Sequence, residues 1–162
     1  MLSGDVPPRE TGPFLTINCH KIIPSDYRGR LEIHPYCVSM ADLLMQKLQI
    51  AEINDKDLKD AILLLLAAPV AETEQGAINA RYVARLLADD WGFYYTATTN
   101  LRKIEAATAN VAALDDGLRA AIAAKAGQLV QAIENEPKSG KWKKRGKVGT
   151  KEPWYNEVSD WT

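Results

Sequence analysis

SMADLLMQKLQIAEINDKDLKDAILLLLAAP, residues 39–69, reads as two helices separated by a short connector. Ser39 is a helix-starting residue, with Asp42 three positions on in the capping-box place. Met40, Leu43, Leu44, Leu48 and Ala51 recur at helical spacing, which predicts a first helix from Ser39 to about Ala51. Asn54 or Asp55 caps a second helix that runs until Pro69 stops it. Its run from Ile62 to Leu66 is apolar on every side, which predicts deep burial there.

Working outward toward the C-terminus, Val70 to Gly76 is polar and reads as a loop. A third helix is expected from Asn79 to Asp90, with Tyr82, Val83, Leu86 and Leu87 as its stripe, interrupted by Trp91-Gly92. A fourth is expected from Phe93 to Thr108, although Thr96, Thr98 and Thr99 lower local propensity. Asp115 caps a fifth that lasts to Asn135, its stripe including Leu118, Ala121, Ile122, Leu129 and Ile133, and Pro137 ends it. Residues 137–162 form a basic, aromatic tail in which Gly149 is a stop or turn and Val148 to Tyr155 is expected to be extended.

Toward the N-terminus, Phe14 to Ile23 and Leu31 to Ile33 read as two short strands, joined in a hairpin through Ser25-Asp26-Tyr27. Residues 1–13 are rich in Gly, Pro and charge and are expected to be disordered. The expected architecture is therefore mainly α with a small β element: two short strands, then an antiparallel helical array over residues 14–136, then the tail.

Composition bounds the function. The 162 residues are 46% apolar and 25% charged, which suits one globular domain. A net charge of −1 projects no overall field toward nucleic acid or membrane. The charge is uneven, however: Lys138, Lys141, Lys143, Lys144, Arg145, Lys147 and Lys151 follow Pro137 with no intervening acid. The longest apolar run, Ala61 to Ala68, is too short to span a bilayer. No basic-plus-apolar leader opens the chain, so a cytoplasmic protein is expected. Cys19 and Cys37 lack a CxxC spacing and read as reduced thiols. His20 and His34 are too few for a zinc site. Cys19 and His20, adjacent on a strand, point to opposite faces and make a poor nucleophile pair.

Lys47 is the most informative residue, because it sits on the apolar stripe of the first helix. Two readings stand. Either its stem packs while the ammonium escapes to water, or it points into a pocket as a phosphate ligand. Asp57 and Asp60 share one side of the second helix, with Lys56 placed to pair with Asp60. They are either a solvated face or carboxylates that orient Lys47 or a nucleotide. The short connector ending at Asn54 would bring Lys47 and Asp57 to the same end. In the tail, Lys141-Trp142-Lys143-Lys144-Arg145 could grip phosphates and stack a base; equally, the Trp could pack on the helices under a solvated basic segment.

Residues 41–50 followed by 54–62 resemble a segment of AbiEii/AbiGii-type nucleotidyltransferase-like proteins, which are toxin-related and show a DLL..KL helix followed by a [KR]D..D helix. Cys19-His20, residues 28–32, residues 89–92, Asn100-Leu101, residues 137–139, Trp142-Lys143, Val148-Gly149 and Trp154-Tyr155 are similar to the pattern of one bacterial subgroup. The resemblance covers residues 14–158. It implies a polymerase-β-like fold whose N-terminal sheet presents a Gly-Ser motif and paired aspartates to Mg²⁺ and a nucleoside triphosphate, while nothing in the sequence selects among tRNA, protein and small-molecule acceptors. It makes Lys47 the phosphate-side lysine and Asp57 and Asp60 the helical acids. This chain departs from the pattern: no Gly-Ser motif followed by a DxD pair precedes Cys19, where Asp5 stands alone. The expectation is a truncated relative without autonomous nucleotidyl transfer. The alternative is a helical binding or assembly module. It would complete a separate catalytic half or self-associate through apolar surface near Leu43, Leu44 and Ile50, or bind RNA through the tail.

Overall fold

The computed structural model describes Arg30, Ile33 and residues 38–156. Six helices follow in order: α1 Met40–Leu48, α2 Asp55–Ala67, α3 Ala80–Asp89, α4 Trp91–Ala109, α5 Asp116–Asn135 and α6 Gly140–Val148. Between α2 and α3 lie two short strands, β1 Val70–Ala71 and β2 Ile78–Asn79. The fold is mainly helical with a small β element.

Short-range chemistry starts every helix. Ser39, Asn54, Asn79, Asp90, Asp115 and Ser139 each accept a hydrogen bond from the backbone N–H three residues on. Each bond satisfies one of the donors that a helix start leaves unpaired. Asp90 explains why Trp91-Gly92 behaves otherwise than expected. The chain turns at the cap, so Trp91 is the first residue of α4 and does not interrupt a helix.

α5 is central, packing on α2, α3 and α4. Its buried residues Ile122, Ala126, Leu129 and Ile133 recur at helical spacing. They meet Leu44, Met45 and Leu48 of α1, Leu65 of α2, Val83 and Leu87 of α3, and Leu101 and Ile104 of α4 in one core. Leu118 and Ala121, expected on the α5 stripe, face outward. The apolar run of α2 is also not buried all round. Ile62 and Leu65 are inside, while Leu63 is 60% exposed, because α1, α4 and α5 cover only part of the helix.

The β element does not lie where the sequence suggested. Phe14 to Ile23 and the Ser25-Asp26-Tyr27 turn lie outside the described residues, as do residues 1–13. Of the second expected strand only Ile33 is described, and its N–H closes a turn on the Arg30 carbonyl. The first observed strand falls in the segment expected to be a loop, and the second lies just after it, reaching Asn79 where the third helix was expected to start. They pair in parallel, Val70 with Ile78 and Ala71 with Asn79, so residues 72–77 form a compact loop whose ends meet. α1 also stops earlier than expected, at Leu48. There the Asn100 amide, buried on α4, donates to the carbonyls of Leu48 (3.1 Å) and Ile50 (2.7 Å) and satisfies the helix end from outside.

The end of α2 is closed by a distant cation. Lys125 Nζ of α5 donates to the carbonyls of Leu65 (2.6 Å) and Ala68 (2.9 Å), where the helix dipole is negative. Lys125→Met keeps the stem and removes both bonds. It should cost about 1.5 kcal/mol, the worth of a hydrogen bond to a charged group. Urea denaturation checks this, and an unchanged midpoint would mean that solvent replaces the ammonium without loss.

The basic tail is largely helical. α6 runs through the lysine-rich stretch, ends at Gly149 with φ +61°, and continues into a 3₁₀ turn at Gly149–Lys151 where extended chain was expected. It packs on α3 and α4. Among the described residues no helix is long and apolar enough to cross a membrane.

Candidate functional site

The first candidate is the helix pair α1–α2. Lys47 in the last turn of α1 reaches Asp57 Oδ1 at 2.9 Å and Asp60 Oδ2 at 2.8 Å, both in the first half of α2. Helical spacing and the short connector bring the three together. Asp60 thus pairs with Lys47, across the helix interface, and not along its own helix with Lys56 as expected. The hydrogen bond from Lys47 to Asp60, joined by the one to Asp57, holds its pKa above the ordinary lysine value against the opposing effect of burial. The lysine stem lines an apolar groove with Leu43, Leu63, Leu64 and Ala67.

This arrangement is a charge clamp between two helices. One ammonium faces two carboxylates, so the cluster is net negative and disfavours a phosphate. Lys47 occupies one oxygen of each carboxylate, Asp57 Oδ1 and Asp60 Oδ2. Among the described residues no group of three or more His, Cys, Asp or Glu is arranged to hold a metal. The side chains are partly exposed, so the clamp is worth little in water. Lys47→Met should cost about 1 kcal/mol at neutral pH. Because the folded pKa is raised, the clamp is complete below the unfolded lysine pKa and is lost as pH rises through the folded value. The wild type should therefore lose its advantage over Lys47→Met only above about pH 10.5. Parallel melting curves across that range test it.

A second polar cluster is more deeply placed, and sequence reasoning passed over it. Arg30 donates to Asp42 Oδ2 through Nε (3.1 Å) and Nη2 (2.9 Å), to Ser39 Oγ (3.1 Å) and to Glu74 Oε1. Asp42 also accepts from Ser39 Oγ and from the Tyr82 hydroxyl, both at 2.7 Å. The Arg30 guanidinium lies 3.5 Å from the centre of the Tyr82 ring. Asn79 donates to Glu74 Oε1, tying in the start of α3. Burial opposes the charge on Arg30, but the hydrogen bonds to Glu74 and Asp42 outweigh it and hold the guanidinium pKa above its usual value. Asp42, expected only as a capping-box acid, is the centre of this network. The guanidinium is fully engaged, so the cluster fastens Arg30 to the starts of α1 and α3.

The third candidate is the surface made by α6 and the start of α4. Trp142 packs its ring edge-on against Tyr94 at 5.1 Å, and Lys138 lies over both rings. Trp91 stacks on Tyr95 at 5.3 Å, Tyr95 meets Trp154 edge-on at 5.2 Å, and Trp154 meets Tyr155 at 5.3 Å. A Cβ on Gly146 would stand 3.0 Å from Trp91 Cδ1, so a larger residue there would push the ring or α6 back by a few tenths of an ångström. Arg145 sits over Trp91 and donates to the carbonyls of Gly149, Glu152 and Pro153. Trp142 thus serves packing, and Arg145 serves both packing and the turn after α6.

Known protein families, curated proteins and solved structures contain no match to this chain. The candidate sites therefore rest on their own geometry.

The other tail residues point outward. Lys141, Lys143, Lys144 and Lys147 are exposed on α6. Lys141 has a distant partner in Asp89 at 3.8 Å. Lys143, Lys144, Lys147 and Lys151 form no ion pair among the described residues. Between α6, the start of α4 and residues 153–156 lies a cavity of about 640 Å³. The tail's basic stretch was legible from composition. The contribution of Asp89, Trp91 and Tyr155 was not, since they meet it only through folding. Cys19, Cys37, His20 and His34 lie outside the described residues. The surface expected to be sticky is also different, because Leu44 and Ile50 are buried, while Leu63 and Leu118 are the exposed leucines among the described residues.

Proposed function

We propose that this chain is a helical module that binds a nucleic-acid strand through α6. One observation carries the reading: α6 is docked by its aromatic side and holds out lysines that no acid among the described residues neutralises. Four cations, Lys143, Lys144, Lys147 and Lys151, which form no ion pair among the described residues, would each displace counterions from a phosphate backbone. The helical scaffold fixes their spacing in advance, which lowers the ordering cost of binding.

The test is fluorescence anisotropy with RNA and DNA oligonucleotides over a salt series. Four phosphate contacts to a single strand predict that log K falls with log salt with a slope of about −3. Binding that ignores salt, or none at low salt, rejects the reading. RNA and DNA share the phosphate chemistry, and comparison of the two reports any use of the 2′-hydroxyl.

A nucleotidyltransferase-like ancestry is the second reading, supported by the convergence of Lys47, Asp57 and Asp60 at one end of the α1–α2 pair. The two carboxylates bound to Lys47 weigh against a phosphate there. Incubation with each nucleoside triphosphate, Mg²⁺ and bulk tRNA tests it, since incorporation abolished by Lys47→Ala would restore the catalytic role.

A further inference from the structure

We infer that the cavity beside α6 receives an unpaired nucleobase, which makes the module selective for single strands. The inference rests on the proposed strand binding by α6 and adds what the strand must be. The cavity's volume falls within the usual range of small-molecule sites. Its wall combines rings (Trp91, Trp154, Tyr155) with cations (Lys141, Lys144, Arg145). That is the pairing found where a strand's backbone is tracked by charge and its bases stack on aromatic faces.

The wall is fixed in advance. Trp154 Nε1 donates to Thr96 Oγ1 at 3.1 Å, and its ring is braced by Tyr95 and Tyr155. Arg145 holds the carbonyls of Glu152 and Pro153, immediately before the two rings, so α6 and the aromatic wall move as one piece. Trp91 stacks on Tyr95, has Arg145 over its ring and is buried, so it closes the floor. Trp154 and Tyr155 are half-buried and offer the stacking surface. Asp89 and Asp90 also line the cavity. Asp90 is committed to capping α4, while Asp89 faces Lys141 loosely and can accept from an exocyclic amino group. Lys144 belongs both to the cavity and to the outward row of lysines, so a backbone lying along α6 brings its bases to the opening. A base locked in a duplex stack cannot enter.

The experiment compares three ligands on the full chain: a single-stranded oligonucleotide, the same strand made abasic, and a duplex with the same number of phosphates. The single strand should bind about ten-fold more tightly than the abasic strand and quench tryptophan fluorescence, in keeping with loss of one stacked base. Tyr155→Ala should bring single-strand affinity down to the abasic value, leave the salt slope unchanged, and be rescued by Tyr155→Phe. An unchanged melting curve for Tyr155→Ala assigns the loss to the cavity. Equal affinity for normal and abasic strands, or for single strand and duplex, overturns the inference while leaving strand binding by α6 in place. Absence of binding to all three removes both.

Discussion

Asp42→Ala should lower the stability of this protein by about 3 kcal/mol, at the lower end for breaking a buried ion pair. The Asp42 side chain is 3% exposed and that of Arg30 15%. Removing the carboxylate leaves the guanidinium with Glu74 as its one acidic partner among the described residues, and it takes away the oxygen to which the Tyr82 hydroxyl donates at 2.7 Å. Water enters poorly there, so the uncompensated groups set the cost more than the lost attraction does. For a domain of this size the melting midpoint should fall by about 9 °C. Asp42→Asn keeps the shape and one acceptor oxygen and should fall between. Arg30→Met in the Asp42→Ala background should recover part of the loss, because the stranded charge goes with it. A change below 1 kcal/mol for Asp42→Ala would show that Arg30 is not held by this network in solution.

Replacing Lys143, Lys144 and Lys147 together by Gln should weaken single-strand binding about 50-fold at 0.15 M salt. The figure follows from about 0.7 counterions released per phosphate contact, three contacts, and a reference of 1 M salt where that release no longer drives binding. The slope against salt should shrink from about −3 to about −1 by the same reasoning. Because these side chains are exposed and form no ion pair among the described residues, the melting temperature should hardly move. A triple variant that binds as the wild type does would leave α6 without its proposed role. Lys138→Gln is an informative contrast. Lys138 Nζ donates to the carbonyls of Ile133, Glu134 and Glu136 at the end of α5, so its loss should act on stability.

The clamp, the network and α6 differ in how far they could be foreseen. Lys47, Asp57 and Asp60 lie within fourteen positions of one another, on two helices whose connector leaves little choice of arrangement. Period and loop length suffice to bring them together. What could not be foreseen was that Lys47 would spend its charge on both acids at once, which turns a candidate ligand into a clamp. The Arg30 network joins residues 12, 40 and 44 positions apart and depends on the 70–79 loop folding back on itself. Nothing local marks Glu74 or Tyr82 as its members.

The helices themselves were written locally. Caps at Ser39, Asn54, Asn79 and Asp115 and apolar stripes at helical spacing act within a turn or two of chain, so their outcome is decided before any tertiary contact forms. α6 is the exception. With Gly140 and Gly146, a run of like charge and hardly any apolar stripe, it has weak reason to be a helix alone. It forms where Trp142 can rest on Tyr94 and where Gly146 can pass against Trp91, contacts supplied by a helix some fifty residues away. The amino-acid sequence by itself determined a mainly helical protein with a concentrated basic stretch near its end. Only the tertiary structure decided that this stretch is a rigid, outward-facing helix beside an aromatic cavity, because the rings that shape both belong to α4 and to the turn after α6.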